Sequence, residues 1–177
     1  MYTYGGVWSD FDILYINNIE NIITEDVNNI IFRCKLFEKP TGILSLIYHP
    51  IGLLMSKKES KLFKFILEKS RIFYKKEIYQ SIGAEMWNKL FPTECQIYEI
   101  DSKTKILDHE FYLPLNDEEV DDIFQNINNI TFGKNTVGVH WFNGCDMAKK
   151  YQNQLDERLE NFQPKCLMDN LIQKYII

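Results

Sequence analysis

The chain has 177 residues, 45% apolar and 14% aromatic, enough to bury a core in one folded domain, which excludes a disordered chain. Its net charge of −5, with 17 Lys against 3 Arg and no run of basic residues on one predicted element, disfavours nucleic-acid and anionic-membrane binding. The nearly apolar stretches at 42–48 and 51–55 fall far short of the roughly 20 residues a spanning helix needs, and Met1 opens neither a basic nor an apolar leader, so a cytosolic chain is expected.

Gly5-Gly6 marks a place where a helical turn ends, because glycine tolerates positive φ. Val7–Ile16 then reads as a strand, rich in β-branched and aromatic residues, with Asp10 and Asp12 on one side if the backbone stays extended. Residues 17–29 fit either a loop or short helices. Gly42–Tyr48 and Ile51–Ser56 read as strands separated by His49-Pro50. Ser56-x-x-Glu59 is a capping box for a helix through Ile72, with Leu62, Phe63, Phe65, Ile66 and Lys69 along one face.

A second helix is predicted over Ile78–Phe91, ending before Pro92. Gln96–Ile100 and Lys105–Leu107 suggest a hairpin around Asp101–Thr104, followed by a strand at Glu110–Leu113. Asn116-x-x-Glu119 repeats the capping signal for a helix to Asn126, and Asp117, Glu118, Glu119, Asp121 and Asp122 suit its N-terminal dipole. Thr136–Phe142 is a strand carrying His140, Asn143-Gly144 turns out of it, and helices follow over Asp146–Asn161 and Cys166–Tyr175. Strands interleaved with helices predict a single mixed α/β domain over residues 1–177, with carboxylates at a strand end, where such sheets place ligands.

Cys34, Cys95, Cys145 and Cys166 lie far apart with no Cys-x-x-Cys pair, and read as free thiols rather than a zinc site. His49 and His109 belong to no motif and read as structural or exposed. Asp10 and Asp12 are different: two carboxylates one residue apart after Gly-Gly suit a hard divalent cation such as Mg²⁺ or Mn²⁺. The tripeptide alone fits a solvated strand end better.

The longer run Tyr4-Gly5-Gly6-Val7-Trp8-Ser9-Asp10-Phe11-Asp12 resembles the G-G-x-[YW]-x-D-x-D signature of glycosyltransferases with the Asp-x-Asp sugar-binding region, glycosyltransferase family 32 and its relatives. Haloacid-dehalogenase phosphatases also use Asp-x-Asp, but after an apolar strand and before a different pair of residues. Further along, Ile51–Ser60 looks like the family's strand-to-helix segment beside the sugar site. Gln80-Ser81-Ile82-Gly83-Ala84 matches in part a Gly-Pro helix start, with Ala84 in place of the proline. Val139-His140-Trp141 resembles the family's C-terminal His-Trp, although the Trp that often follows is missing from Asn143–Asp146.

The resemblance implies a GT-A-type fold, a mixed sheet flanked by helices, lacking the N-terminal nucleotide-binding portion. It implies transfer of a sugar from a UDP- or GDP-sugar donor to a glycan or other hydroxyl acceptor, typically with retention and with Mn²⁺ or Mg²⁺ as cofactor. By position, Asp10, Asp12 and His140 would hold the metal, with Asp10 also reaching the donor sugar or ribose. Gly6 and Trp141 would line the donor, Trp141 being open between that role and the core. Trp8 would pack under the Asp-x-Asp turn, and the acidic stretch 117–122 could face an acceptor sugar. No nucleophile is identifiable. Because Met1 falls inside the position of the family's Asp-x-x-Arg helix, the chain is expected to be a fragment with an exposed strand edge, marginally stable and weakly active at most. The alternative is a non-catalytic remnant or binding domain of the same fold.

Overall fold

The computed structural model describes residues 1–35, 47–79, 81–112, 120–125, 130–158 and 162–176. Its contacts fall into two compact units, the first made of Met1–Asp10 and Ile23–His109 and the second of Phe11–Ile22 and Glu110–Ile177. The chain is mixed α/β, and no helix among the described residues is long and apolar enough to cross a membrane.

The first unit is built on a mixed sheet of five strands. β1 (Gly6–Ser9), β2 (Ile13–Tyr15), β3 (Asn29–Lys35), β4 (Ile47–Tyr48), β5 (Leu53–Ser56) and β6 (Thr104–Asp108) are the strands among the described residues up to His109, and all but β2 belong to this sheet. β3 is the hub: β5 and β4 pair antiparallel with its two ends, and β6 pairs parallel with it from Asn29 to Arg33. β1 lies outside β5, in register from Gly6 opposite Ser56 to Ser9 opposite Leu53. The turn entering β1 needs its glycine. Gly5 has φ +68°, and a Cβ there would lie 2.5 Å from the Lys58 nitrogen and 2.7 Å from the Ser56 oxygen.

Among the described residues this unit also holds the helices α1 (Lys61–Phe73), α2 (Ala84–Leu90) and α3 (Glu94–Ile100). Leu62, Phe63 and Ile66 recur at helical spacing on α1 and pack with Leu54, Ile31, Met86, Trp87 and Ile97. Burial of each large apolar side chain contributes about 1.5–3 kcal/mol. A polar cluster is buried in the same unit. Asn29, 1% exposed, accepts at Oδ1 from the Ser56 and Ser60 hydroxyls and donates from Nδ2 to Asp101 at 3.1 Å and Thr104 at 3.0 Å. One side chain thus ties β3, β5, β6 and the start of α1 together.

The second unit pairs β2 antiparallel with β7 (Gly138–His140) and adds α4 (Asp146–Arg158) and α5 (Leu167–Tyr175). Its core contains Ile16, Val120, Ile123, Val139, Tyr151, Leu171 and Ile172. Asp169, fully buried in the first turn of α5, accepts from the Tyr151 hydroxyl at 2.6 Å and from the Lys165 N–H at 2.7 Å. The four cysteines are not joined into disulfides.

Several expectations are corrected. The extended run Val7–Ile16 is broken after Ser9 by a turn and resumes at Ile13, so Asp10 and Asp12 do not share one face of a continuous strand. α1 is capped by Ser60, whose Oγ accepts from the Phe63 N–H at 3.3 Å; Ser56 is instead engaged in β5, and Glu59 adopts φ 62°. The predicted hairpin after Pro92 is α3 followed by β6, since the Thr93 N–H is capped by Gln96 Oε1 at 3.1 Å. The helix expected over Ile78–Phe91 is confined to Ala84–Leu90, and 109–111 is a 3-10 turn rather than a strand. Trp8 is 53% exposed, not packed. Most of the strand at 42–48 and the capping signal at 116–119 lie outside the described residues.

Candidate metal centre

β2 and β7 position the centre of the second unit. Their register sets Ile13 opposite His140 and Tyr15 opposite Gly138. Gly138 is required here by close approach, since a Cβ at that position would lie 2.8 Å from Ile13 Cγ2. Asp12 immediately precedes β2, and its carbonyl accepts from the Trp141 N–H at 3.0 Å, which extends the pairing one step past the strands. The carboxylate is thereby brought to the imidazole, with Asp12 Oδ1 3.0 Å from His140 Nε2.

Asp12 Oδ2 accepts from the Asn143 N–H at 2.9 Å, so both carboxylate oxygens have defined directions. That N–H is turned onto the carboxylate by Phe142, which takes φ 49°, an unusual conformation for a residue with a Cβ. Gln152 on α4 donates from Nε2 to Asn143 Oδ1 at 2.6 Å and braces the turn. On the other side of β7, the His140 N–H donates to the Tyr112 carbonyl at 2.9 Å. Phe142 meets the imidazole edge-on with ring centroids 4.2 Å apart, and Tyr112 at 6.4 Å. The side chains of His140 and Asp12 are 12% and 20% exposed. The pair is therefore sheltered and held, yet open to a small ligand.

Asp10 closes β1 in the first unit, where its N–H donates to the Gly52 carbonyl at 2.8 Å. Only Phe11 separates it from Asp12, so covalent geometry keeps the two Cα atoms within about 7 Å. Gly6 is exposed with φ 94°, a conformation that favours glycine. Trp141 is partly buried, its indole packed edge-on against Phe124 at 6.4 Å and against the core of the second unit. His49 is buried at the far end of β3's partner strands, with Nδ1 3.1 Å from the Phe32 carbonyl, and burial pushes its pKa down.

Asn143, Gln152 and Tyr112 were not singled out from the sequence. The Asn143-Gly144 pair announced a turn, but nothing local says that its first N–H lands on a carboxylate 131 positions earlier.

An oxygen donor beside an imidazole nitrogen is a donor set that Mn²⁺ accepts readily and Mg²⁺ tolerates. The 3.0 Å between Oδ1 and Nε2 also matches the separation of neighbouring ligands around an octahedral ion with bonds of about 2.1 Å. The same distance serves an ordinary hydrogen bond, so geometry alone permits both a metal site and a structural clamp. No protein-family model, curated relative or solved structure matches the chain.

Proposed function

We propose that the chain is a metal-dependent glycosyltransferase of the GT-A type, or the catalytic part of one, moving a sugar from a nucleotide-sugar donor to a hydroxyl acceptor. The observation that supports this reading best is the meeting of Asp12 and His140 at 3.0 Å. One motif resemblance names both as ligands, and the two residues lie far apart in the sequence. Asp10, Asp12 and His140 would hold Mn²⁺ or Mg²⁺. When bound, the cation supplies positive charge to the diphosphate that leaves as the glycosidic bond breaks.

The chain's own groups do the positioning. The Asn143 N–H fixes one oxygen of Asp12 and leaves lone pairs on the other facing His140. The ring edges of Phe142 and Tyr112 restrict the imidazole, so neither donor needs to be ordered when a ligand arrives. Donor nucleotide, retention and acceptor class come from the motif resemblance alone.

A second reading has an observation in its favour: both oxygens of Asp12 already have partners within the fold, as a structural clamp requires. Thermal melting with Mn²⁺ and UDP or GDP separates the two. At a ligand concentration 100-fold above Kd the gain is about 2.7 kcal/mol. For a chain of this size that is about 5–10 °C in Tm. The transferase reading expects this rise in the wild type and its loss in Asp12→Asn. A clamp gives a lower melting temperature for Asp12→Asn and no ligand-dependent rise in either protein, which would refute the transferase.

A further inference from the structure

Residues 57–82 contain eight of the chain's 20 basic residues and three acids, a local net charge of +5 in a chain whose total is −5. The basic side chains are spaced along α1 and the following loop rather than clustered in one run, and Lys58, Lys61, Lys64, Arg71, Lys75 and Lys76 are all exposed. Among them stand large apolar residues that the fold does not cover: Ile72 at 73% exposure, Tyr74 at 60%, Tyr79 at 89% and Ile82 at 47%. Exposed apolar groups are ordinary when scattered, but several within one short stretch mark an interaction surface.

The loop that presents them is closed on itself. Ser81 Oγ accepts from the Lys75 N–H at 3.1 Å and donates to the Lys75 carbonyl at 3.0 Å, which also takes the Ile78 N–H at 3.1 Å. Tyr79 therefore stands on an ordered turn, and little conformational freedom is left to lose when it meets a partner.

We propose that this face docks the protein, without spanning, on an anionic phospholipid surface. Lysine and arginine attract the headgroups, tyrosine suits the boundary between headgroup and chain, and Ile72, Ile78 and Ile82 enter the apolar margin. At physiological ionic strength charges are screened beyond about 8 Å, so the local +5 governs the approach despite the acidic remainder. A nucleic acid would use the lysines and the tyrosines but leave the three isoleucines without a role. No basic run marks this segment in the sequence, because the charges are spaced along α1 and the loop that follows it.

The test is cosedimentation of the whole chain with vesicles of phosphatidylcholine alone or with about 30 mol% phosphatidylserine. Binding is expected only to the anionic vesicles and should fall as salt rises. Removing one surface charge should weaken it about fivefold, so Lys75→Gln with Lys76→Gln should lose about 30-fold. Ile72→Ser with Tyr79→Ser should also weaken it at unchanged melting temperature, since both side chains are exposed. Equal binding to neutral vesicles, no binding to anionic ones, or variants that bind like wild type would overturn the proposal. So would retention on polyuridylate RNA that is indifferent to Ile72→Ser and Tyr79→Ser. None of these readouts involves Asp12, so the proposal stands or falls apart from the transferase reading.

Discussion

Gly138→Ala tests whether packing between β2 and β7 sets the geometry of the metal centre. The added methyl would sit 2.8 Å from Ile13 Cγ2 and 3.4 Å from the Leu14 oxygen. Ordinary carbon contact requires the strands to part by roughly 0.7 Å or more. Ile13 is 7% exposed and its Cγ2 sits on the β-carbon, so it cannot swing aside. Overpacking of this kind costs about 1–3 kcal/mol. In a chain of this length that lowers Tm by about 2–12 °C. Because Ile13 faces His140 across the same pair, the 3.0 Å contact of Asp12 should open as well, and any Mn²⁺-dependent stabilisation should fall with it.

Ile13→Ala removes the obstructing methyl and alone should cost about 2–5 kcal/mol. Combined with Gly138→Ala, the loss measured by urea unfolding should be smaller than the sum by at least about 1 kcal/mol. If the two substitutions add to within about 0.5 kcal/mol, the steric coupling claimed here does not exist.

Asn29→Ala strips the buried cluster of its centre, leaving Asp101 and Thr104 short of a donor; urea unfolding should show a loss of about 3–5 kcal/mol, and a loss below about 1 would mean that water or neighbours replace it. His49 is held neutral in the fold because burial lowers its pKa, so the unfolded chain binds a proton that the folded chain refuses as pH falls below about 6.5. Its effect is absent above that pH and destabilising below it, and melting curves from pH 7 to 5 should be flatter in His49→Gln than in wild type. A thiol reagent should label exposed Cys95 first and Cys166 last, because burial both shields Cys166 and raises its pKa; peptide mapping after brief labelling reads the order directly.

The reading of the sequence succeeded where the signal was local and periodic. The face of α1, the terminal helix, the strand carrying His140 and the positive φ at Gly5-Gly6 all follow from spacing and backbone sterics. It failed where tertiary context decides. Ser56 reads as the cap of α1, but sheet pairing takes it and Ser60 caps the helix instead. The run Gln96–Ile100 contains Ile97, Tyr98 and Ile100 and suggests a strand, but the Thr93-x-x-Gln96 box and the burial of Ile97 against α1 make Glu94–Ile100 a helix. At the site, Asp12 and His140 were legible as residue types with metal chemistry. The hydrogen bond from the Asn143 N–H to Asp12 and the brace from Gln152 were not, because each is a contact whose partner is specified by the fold rather than by neighbouring sequence.

The second unit draws Phe11–Ile22, which carries β2, from near the start of the chain and the remainder from beyond residue 109. Closing the Asp12 to Asn143 contact across 131 positions costs loop entropy that local contacts cannot offset until the late segment is present. During synthesis β2 must therefore wait, with its partner strand still unmade, while the β3-centred sheet of the first unit already has each of its described strands. Refolding should then show the first unit's buried tryptophan, Trp87, reaching its native environment before Trp141 does. In the growing chain the segment 11–22 is the stretch a chaperone would meet exposed.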